Sequence, residues 1–258
     1  MKFRFSVDDN IIFLKDIAYG SCNSIFENPY LSVYKRLHEK YGVKVQLNLF
    51  YQMDGFNLSQ MPDRYKDEWI ANSDWLQLSF HSRSEQPSFP YKNAGYDQVY
   101  SDCRLVHDEI IRFAGMQSLN LNTTIHFCDT TKEGVRALYD AGIRGLAGIF
   151  GTKENPRDCY GLIYEDYSVL YDKAYYYDAG SKMYFFNINM VINKVAAGDI
   201  EKYLSPFIGR DYIEIMIHEQ YFYRDYPWHQ PDFEHKLETA ISYLLNKGYE
   251  SVFIDEII

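Results

Sequence analysis

Short apolar runs alternate with segments of helical apolar spacing along most of the chain. The apolar pattern predicts eight strands, at residues 3–8, 43–50, 75–80, 122–127, 143–150, 183–190, 212–217 and 251–254. Helical spacing predicts helices at residues 30–40, 65–71, 97–114, 130–141, 199–205 and 231–246. Because strands and helices alternate, we predict an α/β fold with a barrel of about seven parallel strands.

Two longer stretches do not fit this alternation. Residues 82–96 contain Pro87, Pro90 and Gly95, which indicates a long loop after a strand. Loops of this length in compact domains are usually functional. Residues 151–183 are rich in Tyr and Asp with little helical period, and we expect short antiparallel pieces there. No linker, repeat or low-complexity segment is visible, so residues 1–258 are predicted to form a single domain.

Composition and charge narrow the classes of partner. The chain of 258 residues is 47% hydrophobic and 24% charged, as in ordinary globular proteins. Its net charge of -10 argues against nucleic acid, and no apolar run approaches the roughly 20 residues of a membrane span. The N-terminus enters a strand without a signal-peptide pattern, so we expect a cytoplasmic protein. Four widely spaced cysteines predict neither a disulfide framework nor a structural zinc site.

Polar residues that could carry chemistry stand where predicted strands end. Asp8 and Asp9 close the first strand, and their side chains should point to opposite faces. We therefore expect one carboxylate to bind a metal and the other to act on water. His81 follows the third strand, with Glu85 four residues later, a spacing that puts two ligands on one face of a helical turn. A site of Asp, His and Glu suits zinc first, with nickel, manganese or cobalt as alternatives.

Two further histidines end predicted strands. His218 closes the strand at residues 212–217 and is well placed as a general acid. His126 ends the fourth strand and is interpreted as a residue that lines the site. Each of these positions is also compatible with a purely structural side chain.

Three motifs resemble the polysaccharide deacetylase family, also called the NodB homology domain. Ser6-Val7-Asp8-Asp9 is similar to its Thr-Phe-Asp-Asp motif, His81-Ser82-Arg83-Ser84-Glu85 to His-Ser/Thr-x-x-His, and Met216-Ile217-His218 to Leu-x-His. The resemblance implies a distorted barrel, a divalent metal, Asp8 as general base, Asp9 and His81 as ligands, and His218 as general acid. Glu85 stands where the family has its second histidine.

The resemblance is incomplete, and it implies a substrate class only broadly. The family's Arg-x-Pro motif is absent near residues 124–130, and its Asp-x-x-Asp-Trp motif is absent near residues 187–189. The implied reaction is removal of acetyl or similar acyl groups from a sugar or another non-peptide amide. Sugar rings stack on aromatic side chains, and four aromatic residues were assigned to the rim of the pocket: Tyr91, Tyr96, Tyr221 and Trp228.

Two alternatives remain open at this point. The first is a metal-free glycoside hydrolase in which carboxylates such as Asp9 and Glu85 act as acid and base. The second is a non-catalytic carbohydrate-binding barrel, since a fold does not determine a function. All three hypotheses predict a small-molecule or carbohydrate partner, and none predicts the oligomeric state.

Overall fold

Seven parallel strands form the central sheet of the computed structural model, which describes all 258 residues. In chain order they are β1 (Lys2–Asn10), β2 (Val45–Phe50), β3 (Leu76–Ser82), β4 (Asn122–Thr123), β5 (Gly145–Gly148), β6 (Met183–Val191) and β7 (Tyr212–His218). Their spatial order is β3-β2-β1-β7-β6-β5-β4. The first and last strands of this order, β3 and β4, lie side by side, so the sheet curves into a nearly closed barrel.

The seam between β3 and β4 is irregular. A single parallel bridge joins Leu78 and Leu119, and the amide of Asn120 donates to the Leu78 carbonyl at 2.8 Å. Further along, the Thr123 hydroxyl donates to the Phe80 carbonyl, so that a side chain replaces the missing backbone ladder. The prediction of a distorted barrel of about seven parallel strands is confirmed.

Helices cover the outside of the barrel. They are α1 (Ile12–Tyr19), α2 (Pro29–Tyr41), α3 (Lys66–Ala71), α4 (Tyr96–Ala114), α5 (Lys132–Asp140), α6 (Tyr164–Tyr167), α7 (Ile200–Leu204) and α8 (Phe233–Asn246). Local sequence explains the ends of α2: the Asn28 side chain accepts the amides of Tyr30 and Leu31, and Gly42 ends the helix at φ 67°. No helix combines the length and hydrophobicity that a bilayer span requires.

Three segments differ from the sequence prediction. Residues 12–19 form helix α1, which the sequence pattern did not reveal. The fourth strand ends at Thr123 instead of residue 127, because the chain turns away into a 3₁₀ turn at His126–Cys128. The final predicted strand is only Glu250–Ser251, which pairs with the start of β1 beside the barrel.

The segment between β5 and β6 contains short antiparallel pieces, as expected. Gly151–Thr152 pairs with Asn155–Pro156 in a small hairpin. Tyr176–Asp178 then pairs antiparallel with the first residues of β6. This excursion places the hairpin directly after the C-terminal end of β5.

Successive side chains of β1 point alternately to the helix-covered outer face and to the inner face of the barrel. Phe3, Phe5 and Val7 are fully buried in the apolar layer between strands and helices. Arg4 and Ser6 lie on the opposite, inner face, where both reach the Glu214 carboxylate of β7. The barrel interior is therefore partly polar.

A buried ion pair lies inside the barrel at its lower end. Arg4 and Glu214 are direct neighbours on β1 and β7, and both side chains are fully buried. The hydroxyl of Tyr212 donates to the second Glu214 oxygen at 2.6 Å. Burial raises the pKa of Glu214, although the nearby Arg4 acts to lower it. This carboxylate consequently depends on Arg4 to stay charged.

We predict that Arg4→Met lowers the free energy of unfolding by about 3–5 kcal/mol, because it leaves Glu214 buried without its cation. The double variant Arg4→Met/Glu214→Met should recover a large part of this loss, since it leaves no charge uncompensated. Denaturant unfolding of the three proteins measures both effects. A double variant as unstable as Arg4→Met would contradict this account of the pair.

Candidate metal centre

A cavity of about 300 Å³ opens at the C-terminal ends of the barrel strands. This is the end at which parallel barrels place their functional residues. Polar side chains from four strand ends line the cavity: Asp8 and Asp9 on β1, His81 on β3, His126 after β4, and His218 on β7.

Asp8 and Asp9 both face this cavity, although neighbours in a regular strand point to opposite sides. The reason is an irregularity in β1. Its pairing with β2 shifts register between Val7 and Asn10, and Asp9 has a φ of 64°. Such bulges re-aim a side chain, and a non-glycine residue in this region is strained. The bulge therefore turns the Asp9 carboxylate into the cavity beside Asp8.

His81 is held in one orientation. It is 2% exposed, and its Nδ1 donates to the Thr124 carbonyl across the β3–β4 seam. That bond leaves Nε2 directed at the cavity, where it lies 3.0 Å from Asp9 Oδ1. Burial acts to lower the pKa of His81, but the Asp8 and Asp9 charges and the Thr124 bond raise it to about 9. A fixed Nδ1–H···O=C bond is the usual support of a metal-binding imidazole.

His126 completes a cluster with Asp9 and His81. Its Nδ1 lies 3.2 Å from Asp9 Oδ1 and 3.2 Å from His81 Nε2. The backbone reaches this position through an irregular turn, in which Phe127 and Cys128 have positive φ values of 64° and 55°. The sequence prediction had assigned His126 to the lining of the site, and the structure places it at the centre.

One carboxylate oxygen and two imidazole nitrogens of these residues all lie within 4.8 Å of one another. Burial raises the pKa of Asp9, but hydrogen bonds from His126 and His81 outweigh burial and hold it well below its ordinary value. Oδ2 of Asp9 accepts a further hydrogen bond from the Gln220 amide at 2.9 Å. Two nitrogens and one oxygen on three separate strand ends are a donor set that suits a divalent cation such as zinc.

Glu85 is not part of this cluster. It is an exposed residue on the cavity wall, in the loop after β3. The expectation that Glu85 would join His81 depended on a helical turn, whereas β3 continues to Ser82 and an irregular loop follows. Without that turn, the i, i+4 spacing does not bring the two side chains to one face.

Asp8 and His218 flank the cluster and are neighbours in the pairing of β1 with β7. The Asn48 amide donates to Asp8 Oδ1 at 2.6 Å, and Asp8 is 2% exposed. Nδ1 of His218 lies 2.9 Å from the Asn193 side-chain oxygen, which orients the ring. Both side chains line the cavity, so the structure brings together the two residues predicted to be catalytic.

Of the four aromatic residues predicted at the rim of the pocket, two lie at or near the cavity and two lie elsewhere. Tyr221 lines the cavity, and rings continue outward from it through Tyr226, 5.2 Å away, to Trp228, 5.4 Å further and 66% exposed. Tyr91 is fully buried and Tyr96 bonds to Asp140 on the outer helices, so neither lines the cavity. An irregular loop has no fixed side-chain period, so the sequence of residues 82–96 does not predict which of its side chains face the cavity.

Glu219 is a fully buried residue beside the site, whose role the sequence analysis did not predict. Its carboxylate accepts the backbone amides of Ile11, Ile12 and Phe13 at 2.6–2.9 Å, at the first turn of α1. Burial raises the pKa of Glu219 to about 7, while these three amides act to lower it. The only signal in the sequence was a carboxylate next to His218.

Comparisons with known proteins agree on the fold. No family model and no curated protein matches the sequence. The structure is similar to a family 4 acetyl xylan esterase from Clostridium thermocellum in complex with a cobalt ion: TM-score 0.53, 15% identity, 99% of this chain and 89% of that one. A peptidoglycan N-acetylglucosamine deacetylase gives a TM-score of 0.50 at 13% identity, covering 97% of this chain and 85% of that one.

A 4-alpha-glucanotransferase from Thermococcus litoralis is also similar, with a TM-score of 0.62 and 13% identity. It covers 99% of this chain, which spans only 40% of the transferase. At these identities the likeness concerns the fold alone. The predicted resemblance to polysaccharide deacetylases is therefore confirmed at the level of the barrel.

We predict that Glu219 makes stability depend on pH. Its pKa rises from 4.5 to about 7 on folding, so the folded state holds its proton more tightly. Proton binding by Glu219 therefore adds to the free energy of unfolding, by about 1.4 kcal/mol per unit of pKa difference. This stabilisation is fully present below pH 4.5 and is lost as the pH rises through 7.

Glu219→Gln removes this titration, and the amide cannot accept all three backbone amides. Wild-type stability minus that of Glu219→Gln should therefore fall between pH 4.5 and pH 8 in urea unfolding. Parallel curves for the two proteins over that range would show that Glu219 does not titrate on folding.

Proposed function

We propose that the protein is a metal-dependent hydrolase, a divergent relative of polysaccharide deacetylases, that removes acetyl or similar acyl groups from the nitrogen of a sugar or another non-peptide amide. The observation that carries this proposal is the Asp9–His81–His126 cluster at the floor of the cavity, with Asp8 and His218 beside it. The fold of the acetyl xylan esterase and the N-acetylglucosamine deacetylase supports it.

Asp9, His81 and His126 would hold the metal, with zinc as the first choice and nickel, manganese or cobalt as alternatives. When bound, a divalent cation supplies Lewis acidity toward a substrate carbonyl and lowers the pKa of water. The supports for these ligands are in place, because the Thr124 carbonyl orients His81 and Gln220 binds the second oxygen of Asp9. The acetyl xylan esterase of the same fold holds a cobalt ion.

Asp8 is the proposed general base. Asn48 binds only Oδ1 of its carboxylate, and Oδ2 has no hydrogen-bond donor from the protein. That free oxygen, inside the cavity, can accept the proton of a water that attacks the acyl carbon. The bond from Asn48 thus holds the base in one orientation.

His218 is the proposed general acid. The Asn193 oxygen accepts a hydrogen bond from Nδ1–H and leaves Nε2 free. Because this bond fixes the ring, His218 can give a proton from Nε2 to the departing amine as the carbon–nitrogen bond breaks. The acid and the base then lie on adjacent strands, on either side of the reacting group.

A metal-free glycoside hydrolase is the main alternative, and the transferase of similar fold acts on carbohydrate by name. In that case Asp9 would serve as an acid or base with Glu85. Both oxygens of Asp9 already accept hydrogen bonds or contacts from His81, His126 and Gln220. A carboxylate so surrounded is better suited to bind a cation than to exchange a proton, which favours the metal-dependent hydrolase.

The metal is tested by elemental analysis and titration of purified protein. We expect about one zinc, nickel, manganese or cobalt ion per chain, and a loss of affinity of at least about 100-fold in Asp9→Asn and in His126→Gln. Glu85→Gln is the matched control on the same cavity wall and should bind metal as the wild type does. Unchanged affinity in His126→Gln would reject the assigned ligand set.

Catalysis is tested with acetylated sugars and acetylated chitooligomers. We expect Asp8→Asn and His218→Gln each to lower kcat by about 10²–10⁴-fold, the usual contribution of a general base or acid, while the bound metal remains. His235→Gln, an exposed histidine of α8, is the control for an effect of histidine loss alone. Full activity in His218→Gln would reject the assignment of His218 as the general acid. If the wild type deacetylates none of these compounds, the non-catalytic carbohydrate-binding barrel is favoured.

A further inference from the structure

One wall of the cavity carries two cations. Arg157 follows the small hairpin after β5, and Lys194 ends the turn at Ile192–Lys194 after β6. Both line the cavity together with Asn193, the residue that holds His218. Since β5, β6 and β7 are consecutive in the barrel, these side chains form a continuous wall on the His218 side.

The two cations form no ion pair within the protein, and one donor of Asn193, its Nδ2 group, has no partner. Arg157 and Lys194 are exposed residues, and no carboxylate lies within 4.0 Å of either side chain. The Nδ2 group of Asn193 is buried without an acceptor, and the residue is only 7% exposed. A buried donor without an acceptor is costly, so a ligand that accepts this hydrogen bond gains from it.

We propose that Arg157, Lys194 and Asn193 bind an anionic group, a carboxylate or a phosphate, that the substrate carries on the side of its departing amine. The inference rests on the proposed function, because His218 marks that side of the substrate. It adds a substrate class: N-acylated compounds whose amine portion carries a carboxylate or a phosphate.

The charges elsewhere in the cavity agree with this assignment. Asp8 and Asp9 accept hydrogen bonds from Asn48, His81 and Gln220, so neither is the partner of the two cations. A chain with a net charge of -10 repels anions in general, and a local pair of free cations is needed to attract one. Guanidinium and ammonium groups with a neighbouring amide N–H are a standard combination for carboxylate and phosphate oxygens.

The test compares three acetylated sugars on the zinc-loaded protein: N-acetylglucosamine 6-phosphate, N-acetylglucosaminuronic acid and neutral N-acetylglucosamine. We expect Arg157→Gln/Lys194→Gln to lower the ratio of kcat/KM for a charged sugar to that for the neutral sugar by about 10-fold or more. A dependence on the phosphate sugar alone, or on the uronic acid alone, identifies which anion the wall accepts. Lys202→Gln, an exposed lysine of α7, is the matched control and should leave the ratio unchanged.

Calorimetric binding of the same sugars to Asp8→Asn separates this inference from the proposed reaction. If the wild type hydrolyses none of the sugars but the charged ones bind through Arg157 and Lys194, the proposed function fails and the anion site stands. If hydrolysis occurs and neither the ratio nor the binding changes in Arg157→Gln/Lys194→Gln, the anion site is overturned and the hydrolase stands. Increasing salt should weaken only the binding of the charged sugars.

Discussion

The position of the candidate site depends on one buried carboxylate, that of Glu219. Helix α1 begins without a side-chain cap of its own, and its first amides need acceptors. Glu219 accepts three of them, and these amides partly offset the burial that raises its pKa to about 7. Because α1 follows β1 and Glu219 follows β7, the bond locks together the strand ends that carry Asp8 and His218. The base and the acid are thus held relative to each other by a side-chain bond between the segments that follow their two strands.

Below the site, a polar strip inside the barrel supports the same residues. The Gln46 amide donates to Asn48, and Asn48 in turn donates to Asp8. Apolar side chains such as Phe186 and Ile188 fill the opposite part of the interior. Buried polar groups of this kind are stable only when they are paired, so the strip gives the carboxylates at its upper end fixed positions. The helices outside contribute the apolar burial that this interior lacks.

The alternation of apolar residues and the helical spacing are sufficient to predict the barrel. The positions of Asp8, Asp9, His81 and His218 at predicted strand ends are sufficient to predict that they share one cavity. Both predictions succeed because regular strands and helices produce patterns among residues that are close in the sequence. The role of His126 depends on positive φ values at Phe127 and Cys128 and on a shortened strand, which no local pattern records. Helix α1 escaped prediction because its stabilising partner, Glu219, is some 200 residues away in the chain. Glu85 was misplaced for the opposite reason, since a local spacing was assumed where the loop is irregular.

A metal site can be built although the sequence has Glu85 where the family motif has its second histidine, because His126 supplies an imidazole from another strand end. Donor atoms bind a cation through their positions in space, and their order along the chain has no influence on that geometry. Here the segment from Thr124 to His126 acts twice: its first carbonyl orients His81, and its last side chain adds a nitrogen 3.2 Å from the same ring. The second imidazole of the cluster therefore comes from the turn after β4, and not from the loop after β3 as the His-x-x-x-His spacing predicts. One carboxylate and two imidazoles converge in this structure, although the sequence has Glu85 at the motif's last position.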